Sequence, residues 1–268
     1  MTLLSMELAS LLARHESAAI VEITQTEGST PREAGAQMLV SAHQSFGTIG
    51  GGHLEFHAID MARAMLAGGE DQRELTLHLG PQMGQCCGGR VQLKLWRAKS
   101  VDVTDLARLE AQDETALPDI AIFGAGHTGQ ALARQLAHLP FKVRLIDDRI
   151  DTLATVCAPI LPLQHDHPGD LIADLPIGTA VVVLTHSHAL DYTILAAALR
   201  RHDFAYVGMI GSQTKKARFA SWFMASGGTR PALSRLTCPI GGADVKDKRP
   251  AIIAALTAAE LVRALLHK

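Results

Sequence analysis

Four short apolar runs, DIAIFGAG, KVRLIDD, AVVVLTH and AYVGMIG, lie between residues 119 and 211 and alternate with stretches of helical periodicity, one running through Leu139 and one near 190–201. Strands lose the in-and-out alternation of side chains when both of their faces are buried. Short continuous apolar strands separated by helices therefore predict a parallel sheet covered on both sides. In such doubly wound sheets ligands gather at the C-terminal ends of the strands, beside the turn that follows the first strand. Residues 119–268 are read as this α/β domain.

Upstream the pattern changes. AIVEIT, AQMLV and FGTIGG read as strands, HLEFHAIDMARAML as a helix, and ELTLHL and RVQLKLW as two further strands, which gives an α+β domain over residues 1–98. The stretch 99–118 (KSVDVTDLARLEAQDETALP) is richer in acidic residues and is read as the linker. The fold class expected is thus α/β, an N-terminal α+β domain followed by a Rossmann-like, doubly wound C-terminal domain.

Composition narrows the functional classes. The 268 residues are 47% hydrophobic and 19% charged, with a formal net charge of -2, enough to bury a core and too balanced for a phosphate-backbone footprint. Aromatic residues make up 4%, too few for a platform that stacks single-stranded bases. No membrane span or leader is read in residues 1–15, which have amphipathic helical spacing, and the expected location is the cytoplasm. Four cysteines without CxxC spacing suit free thiols in a reducing compartment.

Gly124, Gly126 and Gly129 form G-A-G-H-T-G directly between a strand and a helix. In that setting the first glycine permits a tight turn, the second lets backbone approach a phosphate, and the third lets helix and strand pack closely. The helix N-terminus adds unpaired N–H groups and a positive dipole end. Asp147, at the end of the next strand, is placed to accept the hydroxyls of a ribose or similar diol. A second strand–glycine–hydroxyl–helix junction, Gly211-Ser212 followed by Lys215, Lys216 and Arg218, repeats the physics of an anion site.

The N-terminal domain holds three glycine-rich loops, GSTPREAG, TIGGGHLE and GPQMGQCCGGR. Gln85, Cys86 and Cys87 lie in the last of them. Adjacent thiols between glycines are accessible to a ligand, and a thiolate there is a soft donor for a metal centre or an incoming sulfur species. Cys238, in a later glycine-rich turn, is a weaker candidate, and Cys157 reads as packing. The histidine pairs His53/His57, His165/His167 and His186/His188 lack the partners of a zinc site, and no G-x-S-x-G elbow is present.

Taken in order, Gly28-Ser29-Thr30-Pro31-Arg32-Glu33, Gly47 to Glu55, Gly84 to Gly89, Gly124 to Gly129, Asp147-Asp148-Arg149, Gly208 to Ser212 and Cys238 to Gly241 resemble the blocks of the XdhC/CoxI family of molybdenum-cofactor chaperones. One departure is Gly242-Ala243-Asp244-Val245, where many members carry a G-L-D-I-G-A type segment. The resemblance implies a chaperone without turnover of its own. It would bind molybdopterin cofactor, support its sulfuration by a cysteine desulfurase, and insert it into apo xanthine dehydrogenase or a related molybdenum hydroxylase. It further implies Cys86, with Cys87 and Gln85 beside it, as the residue facing molybdenum, and Gly124, Gly126, Gly129, Asp147, Gly211 and Ser212 as the cofactor or nucleotide cradle. A homodimer is expected from the glycine-rich loops and from the apolar C-terminal helix. Two other readings compete: an NAD(P)-dependent oxidoreductase built on the glycine loop, and a thiol redox sensor using Cys86 and Cys87.

Overall fold

A computed structural model describes residues 3–80, 88–156 and 158–266. These divide into two compact units, residues 1–115 and 116–268.

The first unit runs α1 (Leu4–Ala13), β1 (Ala18–Glu27), β2 (Gln37–Ser41), β3 (Ser45–Gly47), α2 (Gly52–Ala67), β4 (Gln72–His78), β5 (Arg90–Arg97) and α3 (Ser100–Ala116). Its five strands form an antiparallel sheet in the order β3-β2-β1-β5-β4. β1 sends Ala19, Val21 and Ile23 to one face, where Leu54, Ala58, Ala62 and Met65 of α2 cover them. Ala18 and Ile20 point the other way, onto Leu8 and Leu11 of α1 and Leu106 of α3. Helices on both faces explain why an antiparallel strand here reads as an unbroken apolar run.

The stretch expected to be a linker, 99–118, is for the most part this third helix. Asp102 receives bonds from the Lys99 amide (2.6 Å) and from Trp96 Nε1 (3.0 Å), which ties the start of α3 to the end of β5. Leu106 and Val103 pack on the sheet, and Glu110 accepts from the hydroxyl and amide of Ser5. Only two apolar anchors on an otherwise acidic surface gave the stretch the composition of a connector.

The second unit runs β6 (Asp119–Phe123), α4 (His127–Leu136), β7 (Lys142–Asp147), α5 (Ile150–Leu153), β8 (Leu161–Gln164), a 3₁₀ helix (Pro168–Asp174), β9 (Ala180–Val183), α6 (His188–Arg200), β10 (Tyr206–Met209), α7 (Gln213–Ala225), α8 (Arg230–Ser234), β11 (Leu236–Thr237) and α9 (Pro250–Leu266). All six strands are parallel, in the order β11-β10-β9-β6-β7-β8. Counted along the chain this is 6-5-4-1-2-3, the doubly wound order of dinucleotide-binding sheets, and the winding reverses between β6 and β9. Leu132, Leu136, Ala254 and Leu261 of α4 and α9 cover one face; Ile194, Leu195, Leu199, Phe219 and Phe223 of α6 and α7 cover the other. The buried stripe of α9 is thus covered inside its own unit, which removes that helix as a ground for expecting a second copy. No helix among the described residues is long and apolar enough to cross a membrane.

Candidate cofactor-binding site

The switch point between β6 and β9 is where the glycine loop sits. Gly124 has φ +116°, and a Cβ there would run into the Leu184 carbonyl at the end of β9. A Cβ on Gly129 would collide with the Gly124 carbonyl. Both glycines are demanded by the protein's own packing. Gly126 differs: its φ of -70° is open to any residue, and a Cβ would meet nothing within 4 Å. The protein itself does not require glycine at this position, whereas a ligand lying against the loop would.

Gly126, His127, Thr128 and Gly129 form one wall of a crevice of about 360 Å³ whose other walls are Arg149, Leu184, Thr185, His186, Ile210 and Pro250. An adjoining crevice of about 460 Å³ is lined by His188, Tyr192, Ile210, Gly211, Ser212, Thr214, Lys215 and Arg218. Ile210 belongs to both. Together they bring Gly124–Gly129 and Gly211-Ser212 to the same C-terminal edge of the sheet, each at the start of a helix.

Asp147 departs from its expected role. It is 3% exposed, and its carboxylate is filled from within the protein. Oδ2 accepts from the Ala125 amide (2.6 Å) and Arg149 Nη2 (3.0 Å), and Oδ1 accepts from the Arg149 amide (3.0 Å) and Nε (2.9 Å). Burial by itself would raise its pKa, but the bonds from Arg149 and from the two amides override this and hold the carboxyl far below the usual carboxylate range. Asp147 is therefore a latch between the glycine loop and the residues after β7, with no acceptor left over for a ribose diol. The side chain that reaches the crevice is Arg149, 43% exposed. The sequence pattern assigns the ligand-binding role to its bidentate partner, Asp147, because doubly wound sheets commonly carry an acid at this strand end.

At the second junction Ser212 caps α7, its side chain accepting from the Lys215 amide. Lys215 is not a loose clamp: Nζ lies 2.5 Å from Asp191 Oδ2 and donates to the Ile210 carbonyl at 3.0 Å. Asp191 is fully buried, and its Oδ1 accepts from the amide (3.0 Å) and hydroxyl (2.8 Å) of Thr185. The pair ties together the ends of β9 and β10 and the first turns of α6 and α7. Asp191 carries no motif, and a single acid on a helical face offers no sequence signal of this task. Arg218 remains exposed on the crevice wall. Cys238 is 6% exposed with Sγ 3.8 Å from the Gly211 carbonyl, and burial pushes its thiol up against the opposing pull of Lys216 and Lys215. This is a packed thiol.

Gln85, Cys86, Cys87 and Cys157 lie outside the described residues. The described shoulder of the cysteine loop is informative nonetheless. A Cβ on Gly89 would strike the carbonyls of Ser29 and Glu27, and one on Gly28 would come within 3.2 Å of the Gly89 Cα. Gly50 has φ +128°, and a Cβ there would lie 2.5 Å from that of Pro31. Glu55 organises the third loop, its Oε2 accepting from Thr48 Oγ1 (2.5 Å) and from the amides of Ile49 and Gly51 (3.1 Å each). The three glycine-rich loops of the first unit thus meet through the segments 28–32, 48–52 and 88–89. His53 and His57 are exposed on α2, and no zinc-type cluster includes them among the described residues.

Comparison with known proteins agrees with this architecture. A family model described as the XdhC Rossmann domain matches residues 120–261, and one described as the XdhC and CoxI family matches residues 11–80. The uncharacterized protein YqeB of Escherichia coli (strain K12) is 27% identical over 245 residues, a match that takes in 88% of this chain and only 41% of the relative. A Bacillus halodurans protein whose crystal structure is described as that of a xanthine dehydrogenase superimposes with a TM-score of 0.79 at 18% identity, covering 98% of this chain and 96% of the other, a likeness of fold. Since the first of these family models alone spans more than half of its length, the chain belongs to the XdhC family.

Proposed function

We propose that the protein carries molybdopterin cofactor during the maturation of a xanthine dehydrogenase or a related molybdenum hydroxylase, holding the cofactor as cargo rather than turning it over. Membership of the XdhC family supports the maturation role. The observation that carries the ligand assignment is Gly126, a glycine with an ordinary φ and empty space where its Cβ would be, at the mouth of a helix N-terminus. The cargo's chemistry suits the residues present. Its phosphate matches the N–H groups of 126–129 and the guanidinium of Arg149, and its pterin matches the half-polar crevice beyond Ile210. In this reading the Cys86 thiol, with Cys87 and Gln85 beside it in sequence, is the soft donor offered to molybdenum or incoming sulfur; a cysteine desulfurase and the apo-enzyme are the partners, and the cytoplasm is the setting.

The test is molybdenum and pterin content of protein purified without oxygen from cells that make the cofactor, alongside Cys86→Ala. Both should be present in the parent and lost from the variant. Absence of both from the parent, even after incubation with released cofactor, overturns the reading. The strand order favours a second one, an NAD(P)-dependent oxidoreductase. It requires hydride transfer visible in the reduced-nicotinamide absorbance band with some substrate of a broad panel.

A further inference from the structure

The end of β7 is the position at which doubly wound sheets recognise the sugar of a bound nucleotide. An acid there accepts the two hydroxyls of a ribose, whereas an arginine nearby accommodates a phosphate in place of the 2′-hydroxyl. This chain has both groups and has already used one to hold the other. Asp147 is buried with its oxygens filled by four donors, three of them from Arg149. Arg149 is bound through Nε and Nη2, its side chain is 43% exposed on the crevice wall, and Nη1 has no acceptor among the described residues.

A planar guanidinium fixed along one edge by a carboxylate presents its other edge at little entropic cost, an arrangement suited to phosphate oxygens. A vicinal diol arriving at the same place would find the Asp147 oxygens already filled. Asp148 is the remaining acid at this edge. Its Oδ1 lies 3.8 Å from Arg149 Nε and 3.7 Å from His186 Nδ1, so two groups able to carry positive charge face it.

We infer that the crevice at the β6–β9 switch point is a phosphomonoester site in which Arg149 meets the ligand and selects a phosphate over a free diol, with Asp147 as its positioning residue. The inference rests on the preceding reading only in placing a ligand in this crevice. The phosphomonoester has two sources, the terminal phosphate of a molybdopterin cargo or the 2′-phosphate of an adenine dinucleotide, and the chemistry of recognition is common to both.

The experiment compares NADPH and NADH, which differ in this one group, by calorimetric titration of the full chain. The parent should bind NADPH about tenfold more tightly than NADH. Arg149→Ser removes the guanidinium and releases the Asp147 oxygens, and should reverse the preference. Arg149→Lys keeps the charge without the fork, and should retain a smaller preference for NADPH; circular dichroism of each variant checks that the fold is intact. Binding of NADH as tight as that of NADPH by the parent, no binding of either at millimolar concentration, or an unchanged ratio in Arg149→Ser overturns the inference. Pterin content of Arg149→Ser, purified as above, separates the sources: a fall assigns the arginine to the cargo's phosphate, and no change assigns it to a nucleotide. Loss of the carrier reading with the NADPH preference intact would leave this site standing.

Discussion

Gly124, Gly126 and Gly129 belong to one hexapeptide, yet a methyl group added to each meets different surroundings. Gly129→Ala forces a Cβ into the Gly124 carbonyl, and the overpacking should cost about 2 kcal/mol and lower the thermal midpoint by several degrees. Gly126→Ala should leave stability within about 0.5 kcal/mol of the parent, because the site is open and φ is ordinary, while weakening any ligand in the crevice. Parallel thermal unfolding and ligand titration of the two variants separate these effects; a large stability loss in Gly126→Ala would remove the ligand argument. The latch residue gives a pH signature. The Asp147 carboxyl is held far below its unfolded value, so its contribution is present above about pH 4 and fades as pH falls towards the folded-state value. Asp147→Asn should therefore be less stable than the parent by about 2 kcal/mol at pH 7, and the gap should close steadily on acidification below about pH 4. A gap that persists unchanged at pH 2.5 would show that the carboxylate's charge is not what holds the loop.

Among the elements, the Asp191–Lys215 pair joins two strands and two helices with both groups almost fully withdrawn from water. Lys215→Met leaves a buried carboxylate with only the Thr185 donors, and should cost about 3 kcal/mol, whereas adding Asp191→Asn should return much of that loss. Denaturant unfolding of the two single variants and the double variant measures the coupling, and additive losses would mean that the contact contributes no specific energy. How much of the architecture was legible follows the same division between local and distant causes. β6, β7, β9 and β10 could be read because parallel burial writes itself as apolar runs, and α4 because its glycines and its strand are contiguous in sequence. β8 and β11 could not: β8 is an edge strand whose residues are mostly exposed and which contains Pro162, and β11 is two residues long. α3 was concealed by its acidic surface, as Leu106 and Val103 are nearly its only apolar anchors. At the site, Gly126 and the junction at Ser212 were legible as local patterns. The exchange of roles between Asp147 and Arg149 was not, because either residue after a second strand fits the motif and only the filled hydrogen bonds distinguish them.

At the scale of the molecule, two units with separate cores carry two sets of glycine-rich loops, and the question is whether they serve one ligand. Cys86→Ala and Gly126→Val alter different units by different means, one removing a thiol and the other closing off backbone approach. If a single cofactor is gripped by both, its phosphate end in the crevice and its metal end at the cysteine loop, then either variant alone releases most of the cargo. The double variant then loses little more than the worse single one, since the remaining grip on an already released ligand has nothing left to contribute. If the units hold separate ligands, molybdenum falls only with Cys86→Ala, NADPH affinity falls only with Gly126→Val, and the double variant shows both losses at full size. Molybdenum, pterin and NADPH binding measured on all four proteins from one anaerobic preparation distinguish these outcomes by thermodynamic coupling. We expect NADPH affinity to fall with Gly126→Val and to be unchanged in Cys86→Ala, because every residue that lines the crevice belongs to the second unit.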